Sequence, residues 1–460
     1  MIKAAAVLRS SFLSSRRNIM PNPILPLWEY IPDGEPRVFG DRVYLYGSHD
    51  RAAGDAFCDY KLKVWSAPLN NLNEWQCHGD SFRTHPGEKR PSDTPWTDHC
   101  LYAPDVVEKD GKYYLYAYIV GAKGAVGVSD HPEGPFRLLS QYRYTDEVGD
   151  DGIFNDAGVL VDTDGRVYVY YGFEHSCMNE LDPSTMCDVI PGTLQKSVIE
   201  DGEEIPKERR FFEASSPRKI GDTYYLIYSP RRGSRLAYAT SSSPRGPFTY
   251  RGYIIDNGVD YPAGNDHGSI ACLNGQWYVF YHRMTNHSIM SRRACVEKIN
   301  ILPDGTIPPV EMTSLGFEDA LNPYQITPAE IACVLKGGCF ITEKDLMTRV
   351  ITEITDGCVM GYKYFDFGQD HTGDGQTLVL QVKGMGVRCK VRVRLDDPEQ
   401  GPEIGLCDIG TGDGICRMKT APVTGRHALY LIAENKTDSW TGQFFTGRKL
   451  FELQSFVFLK

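Results

Sequence analysis

Five residues able to do acid–base chemistry recur in one phase along this 460-residue chain: Asp33, Asp105, Asp156, Glu213 and His267. Each stands six to nine residues ahead of a short aromatic run that opens on a turn residue. The runs are Asp41-Arg-Val-Tyr-Leu-Tyr46, Gly111-Lys-Tyr-Tyr-Leu-Tyr116, Gly165-Arg-Val-Tyr-Val-Tyr170, Asp222-Thr-Tyr-Tyr-Leu-Ile227 and Gly275-Gln-Trp-Tyr-Val-Phe280. Carboxyl pairs in unlike surroundings are the working parts of glycoside hydrolysis: an acid protonates the leaving oxygen, and a base or nucleophile serves the anomeric carbon. Glu213 lies behind Phe211 and Phe212, where desolvation should keep its proton on. Most Asp residues beside Gly or Pro are merely turn residues. Asp150, Asp151 and Asp164 are read that way, whereas phase with the repeat singles out Asp33, Asp105 and Glu213. Asp156 is read as a secondary polar group.

The elements that must position these residues follow from the spacing. The runs start at 41, 111, 165, 222 and 275, a period of 53 to 70 residues that suits β-propeller blades. Equivalent positions of successive blades surround one axis, so the five groups should converge. A second repeat supports this phase. Lys63–Pro68, Gly127–Phe136 and Ala239–Phe248 each end in Ser and Pro, as a third strand of a blade would. The stretch from Glu174 to Lys207 lacks this pattern and is expected to be an insertion at the propeller rim.

Beyond Ile301–Ile307 the pattern changes. Strand-like segments at Gln376–Val382, Cys389–Leu395, Glu403–Ile409, Ala428–Ala433 and Leu450–Phe458 suggest a β-sandwich. The expected organisation is all-β: an N-terminal extension over 1–21, a five-bladed propeller over 22–315 and a sandwich over 325–460. The extension carries Lys3, Arg9, Arg16 and Arg17 around a short apolar stretch, too interrupted for a secretion signal. Met20 is the preferred start, with an organellar transit peptide as the alternative.

A net charge of -11 argues against nucleic acid or an anionic membrane as partner. No apolar run reaches the roughly 18 residues of a membrane span. Thirteen cysteines, without a CxxC pair or a zinc-like cluster, fit free thiols in a reducing cytoplasm. Nothing in the pattern sets an oligomeric state.

With these motifs in view, residues 22–310 resemble glycoside hydrolase family 43. Asn22-Pro-Ile-Leu25 followed by Asp33 is similar to the family's catalytic-base segment, and Ala103-Pro-Asp-Val106 to its middle-Asp motif. Glu213 ahead of Tyr224-Tyr-Leu226 is similar to its general acid, His267-Gly-Ser269 to its histidine motif, and Arg283 to its substrate-contacting arginine. The resemblance implies Asp33 as general base, Glu213 as general acid and Asp105 as the residue that orients the acid and tunes its pKa. It further implies an inverting mechanism, and an axial calcium near His267, held through water and not required for the chemistry. The first motif departs from the family pattern, which leaves Glu35 as a rival base; the distance from Asp33 to its strand favours Asp33. The third-blade motif, Asn155-Asp-Ala-Gly158, is also a variant, so Asp156 is carried over only as a substrate-binding group. An oligosaccharide of arabinofuranosyl or xylosyl units is the implied substrate, cleaved from its end. A galactan- or fructan-active relative and a non-catalytic sugar-binding propeller are the alternatives. Trp28, Trp96, His99, Tyr102 and Phe154 are candidate sugar-stacking walls. The last 135 or so residues resemble a family 6 carbohydrate-binding module, with Trp440, Phe444 and Phe445 as a candidate platform.

Overall fold

The computed structural model describes residues 20–122, 124–141, 154–369, 375–435 and 447–460. The extension up to residue 19, and Trp440, Phe444 and Phe445, lie outside the described residues. Up to Ile299 the chain forms five antiparallel sheets in succession, each strand paired with the next in sequence. These are the blades of a five-bladed propeller. Each aromatic run is the second strand of its blade: Arg42–Tyr46, Lys112–Ile119, Val167–Tyr171, Thr223–Pro230 and Gln276–Thr285. A second strand is paired on both edges and covered on both faces by neighbouring blades, so its side chains are buried whichever way they point. Wide rings fill the gaps between twisted sheets. At the hairpins leading in, Asp110-Gly111 has φ of 51° and 74°, and Asn274-Gly275 has 51° and 81°. These left-handed pairs give the tight turn that matches strand twist.

The structure also explains why two repeat families travel together. The Tyr46 hydroxyl donates to Pro132 O at 2.7 Å, and the Tyr170 hydroxyl to Pro244 O at 2.5 Å. A second-strand tyrosine thus binds the proline carbonyl in the turn that follows the third strand of the next blade. Third strands occupy Lys61–Pro68, Ala125–Ser129 and Arg235–Ser241, where the Ser/Pro repeats fall. The stretch 174–207 is not an insertion. It supplies the outer strands of the third blade, Cys177–Leu181 and Gln195–Lys196. Its polar residues hid the pattern because the last strand is only two residues long.

The innermost strands are Glu35–Phe39, Leu101–Lys109, Gly158–Val161, Phe211–Ile220 and Ser269–Leu273, and they close a ring. Neighbours from the first to the fourth blade pack side by side. The fourth meets the fifth through Ser216 Oγ and Ser269 Oγ at 2.6 Å and Arg218 Nε to Ile270 O at 2.9 Å. The fifth meets the first at a parallel bridge between Gly34 and Gly268. A side chain on Gly268 would collide with the Phe280 carbonyl of the fifth blade's own second strand, so this position requires glycine. The chain start completes the fifth blade. Asn22 exchanges hydrogen bonds of 2.7 and 2.8 Å with the Val296 backbone, and Ile24 N donates to Ala294 O at 2.9 Å.

From Thr327 a six-stranded and a five-stranded sheet face each other as a β-sandwich. Besides the segments expected from sequence, the sandwich includes Phe340–Asp345, Thr348–Ile354 and Val359–Asp366. One continuous apolar cluster runs from Tyr225 and Ile270 of the last two blades to Phe456 and Phe458, so propeller and sandwich share a core.

Candidate active site

Asp33, Asp156, Glu213 and His267 all stand where an innermost strand begins, at one end of the ring. His267 Nδ1 lies 3.7 Å from Asp33 Oδ1 and 3.8 Å from Asp156 Oδ2. Asp33 (φ 58°), Asp156 (φ 49°) and Ala214 (φ 71°), next to Glu213, adopt the left-handed conformation that non-glycine residues rarely occupy. Strain of this kind collects where a fold aims side chains at a functional centre. In the fourth blade it coincides with a pairing shift between Glu213 and Ser216.

Asp33 is held by groups that favour its charged form. Arg292 Nη1 donates to Oδ1 at 2.8 Å and the Ser48 hydroxyl to Oδ2 at 2.6 Å. Burial alone would raise this carboxyl, but the Arg292 guanidinium, with the Ser48 hydroxyl, brings it below the ordinary carboxylate range. Arg292 is itself clamped: Nε and Nη2 donate to the two oxygens of Asp50 at 2.9 and 3.0 Å, which fixes the remaining nitrogen on Asp33. His282 is fully buried, and its burial together with the charge of Arg292 pushes it down to about 3. As a neutral ring, its Nε2 donates to Asn265 O at 3.0 Å and its Nδ1 accepts from Asp33 N at 3.4 Å.

Glu213 and Asp156 sit opposite and are raised. Burial, reinforced by the charge of Asp33, takes Glu213 up to about 7. Burial and the repulsion of Glu213 and Asp33 push Asp156 well above its usual value. The two carboxyls titrate as a pair, and the pair keeps a proton into the neutral range. Tyr118 feels the charge of both. It packs edge-on against Tyr102 at 5.8 Å, while the Tyr102 hydroxyl donates to Phe57 O at 3.3 Å. Tyr102 is thus one ring removed from the two carboxyls.

Other expectations change. Asp105 does not reach Glu213. Its carboxylate takes both arms of Arg37 at 3.0 and 2.7 Å and the Val159 amide at 2.7 Å. Glu35 is occupied by Arg218 and by the Ser216 hydroxyl, which leaves it no role as a base. These residues form a charge layer that ties the innermost strands together along the axis. Arg283 is 1% exposed and faces away from the site, donating to the Tyr281 hydroxyl at 2.8 Å and to Thr313 O, with Glu297 3.6 Å away. Phe154 has no exposed surface and meets Tyr171 edge-on at 4.5 Å, within the packing between blades. Trp96 packs against the core shared by the first two blades. His99 is exposed and hydrogen-bonds Val120 O at 2.8 Å. Arg283→Met should therefore cost about 3–5 kcal/mol of folding stability, because Glu297 is left buried without its cation. The kcat of the folded fraction should stay unchanged, as read by chemical denaturation and steady-state assay.

Calcium takes roughly 6–8 oxygen ligands. Among the described residues no three His, Cys, Asp or Glu side chains come together to hold a metal. At His267 the nearby Asp33 is already engaged by Arg292 and Ser48. These side chains do not make a cage of direct calcium ligands.

The family model described as glycosyl hydrolases family 43 matches residues 20–307. A xylosidase/arabinosidase of Thermoclostridium stercorarium is 40% identical over 398 residues, which cover 75% of this chain and 82% of the relative. An arabinoxylan arabinofuranohydrolase of Paenibacillus polymyxa is 26% identical over 469 residues, covering 90% and 72%. Among solved structures, a family 43 β-xylosidase/α-arabinofuranosidase from a compost microbial metagenome, in complex with xylotriose and in calcium-free form, has a TM-score of 0.54 at 28% identity. It covers 64% of this chain and 98% of its own. An arabinoxylan arabinofuranohydrolase from Bacillus subtilis, in complex with cellotetraose, shares the fold over 95% of this chain and 97% of its own, with a TM-score of 0.53 at 22% identity. Five blades and a cluster of carboxyls at one end of the ring agree with this match: the chain belongs to glycosyl hydrolases family 43, enzymes that hydrolyse O-glycosyl bonds.

Proposed function

We propose that this protein is an inverting exo-glycosidase that removes arabinofuranosyl or xylosyl units from plant cell-wall pentose oligosaccharides. The observation that carries this reading is two carboxyls in unlike surroundings at one end of the ring: buried Asp33 accepts hydrogen bonds from Arg292 and Ser48, whereas the half-buried Glu213 is raised by desolvation and by the charge of Asp33. Asp33 takes a proton from a water as its oxygen attacks the anomeric carbon. Glu213 gives its proton to the glycosidic oxygen as the carbon–oxygen bond breaks from the other face. The products are a free sugar of inverted configuration and an alcohol, and solvent returns both carboxyls to their starting states. This requires a carboxyl separation of about 6.5–9.5 Å, which leaves space for the water. The names of the relatives support a pentose substrate. Assay of nitrophenyl arabinofuranosides, xylosides and galactosides tests it: cleavage of either pentoside is expected, and activity on galactoside alone would refute it.

Asp156, and not Asp105, serves in this reading as the group that tunes the acid, because it is the carboxyl coupled to Glu213. The rate should rise as Asp33 ionises at acid pH and fall as Glu213 loses its proton near 7. The pair shares one proton, and Asp156 carries the charge when that proton sits on Glu213; Asp156→Asn removes this charge, so the alkaline limb should move down by about one pH unit. Asp105→Asn should leave that limb in place, a contrast that pH–rate profiles read directly.

A further inference from the structure

The chain leading to Asp33 carries an exposed aromatic ring. Trp28 is 37% exposed, although its ring packs against Trp65 at 5.6 Å and carries the Lys63 ammonium 5.7 Å from its centre. The backbone next to it, at Leu27, is bonded by Arg349 of the sandwich hairpin formed by Phe340–Asp345 and Thr348–Ile354. At the tip of that hairpin Leu346 and Met347 are 68% and 64% exposed, the highest values among the large exposed hydrophobic side chains described. The hairpin is fastened there by one buried cation. Arg349 donates to Asp345 O and to Leu27 O, both at 2.7 Å, and to the Tyr30 hydroxyl at 3.1 Å. Tyr30 in turn accepts at its carbonyl from Asp50 N at 3.0 Å, and Asp50 is the clamp of Arg292. A continuous set of contacts therefore runs from the catalytic aspartate to the hairpin tip. Trp28 stands five positions before Asp33, at most about 17 Å of extended chain, a distance that a short oligosaccharide covers.

We propose that Trp28 and the Leu346–Met347 tip form a binding subsite for the part of the oligosaccharide chain that projects from the catalytic pocket. The proposal rests on the reading of the protein as a glycosidase of pentose chains. A sugar ring presents a flat row of C–H groups that stacks on an indole face, and the aliphatic tip supplies a second apolar contact. The patch consists of one ring and two isolated side chains between polar neighbours, a size suited to single sugar units and far below a protein interface. Its continuity with the catalytic centre picks out the substrate's own chain as the occupant. The sandwich thus takes part in substrate binding through a hairpin that a buried arginine holds against the propeller.

The test compares wild type, Trp28→Ala and the double variant Leu346→Ser/Met347→Ser on a pentose oligosaccharide and on the nitrophenyl glycoside of the same sugar. For the oligosaccharide, KM should rise about tenfold in either variant with little change in kcat, the loss expected of one stacking contact. For the nitrophenyl glycoside, the KM change should stay within about twofold. Equal changes on both substrates, or none on the oligosaccharide, would overturn the proposal. The double variant alters only solvent-exposed tips, so it reports even if Trp28→Ala loosens Trp65. A wild type that cleaves neither substrate would instead refute the underlying glycosidase reading.

Discussion

Glu213→Gln should lower kcat on unactivated glycosides by about 10²–10⁴-fold, the usual contribution of a general acid. The expected loss depends on the leaving group. An alkoxide departs only if it receives a proton, whereas a nitrophenolate is stable enough to leave without one. Natural oligosaccharides should therefore suffer the full loss and nitrophenyl glycosides much less. The alkaline limb of the pH–rate profile should vanish with the group that titrates near 7. The cause is local: burial and the charge of Asp33 both oppose ionisation of Glu213, so the carboxyl holds its proton where an exposed glutamate would not. A loss that is equal for all leaving groups, with the limb intact, would assign the proton to another residue.

Asp33→Asn should give the complementary result. The amide cannot take a proton from the attacking water, so activity should fall by about 10²–10⁴-fold on good and poor leaving groups alike. Folding should persist, because Arg292 keeps its bidentate partner Asp50. The acid limb of the profile should disappear while the alkaline limb remains. A paired measurement of Asp33→Asn and Glu213→Gln on two leaving groups separates base from acid without reference to any relative.

The second-strand tyrosines made the fold readable from sequence because they fill the gaps between blades and bind the next blade's proline turn. The filling of gaps recurs in all five blades and the proline-turn bond in two of them, so both left a periodic mark. The roles within the ring were harder to read. The same spacing marked both Asp105 and Asp156, but in a closed ring the fourth blade adjoins the third and fifth, not the second. Blade order alone would have put Asp156 beside Glu213. Arg292 was missed for a different reason. It lies on the last strand, where Arg292 and Arg293 are adjacent and point to opposite faces. Arg292 turns to Asp33, while Arg293 reaches Leu25 O at 3.3 Å. Arg283 matched by position after an aromatic run, yet its side chain serves the seam with the sandwich. The third blade's outer strands carried no aromatic signal and passed for a loop.

The configuration of the first-formed sugar tests the central claim most directly, since an acid at Glu213 and a base at Asp33 with a water between them permit only one outcome. Proton NMR of a nitrophenyl pentoside reaction, recorded before mutarotation, should show the inverted anomer as the initial product. An initial product of retained configuration would mean a covalent glycosyl intermediate and would contradict the roles of both carboxyls.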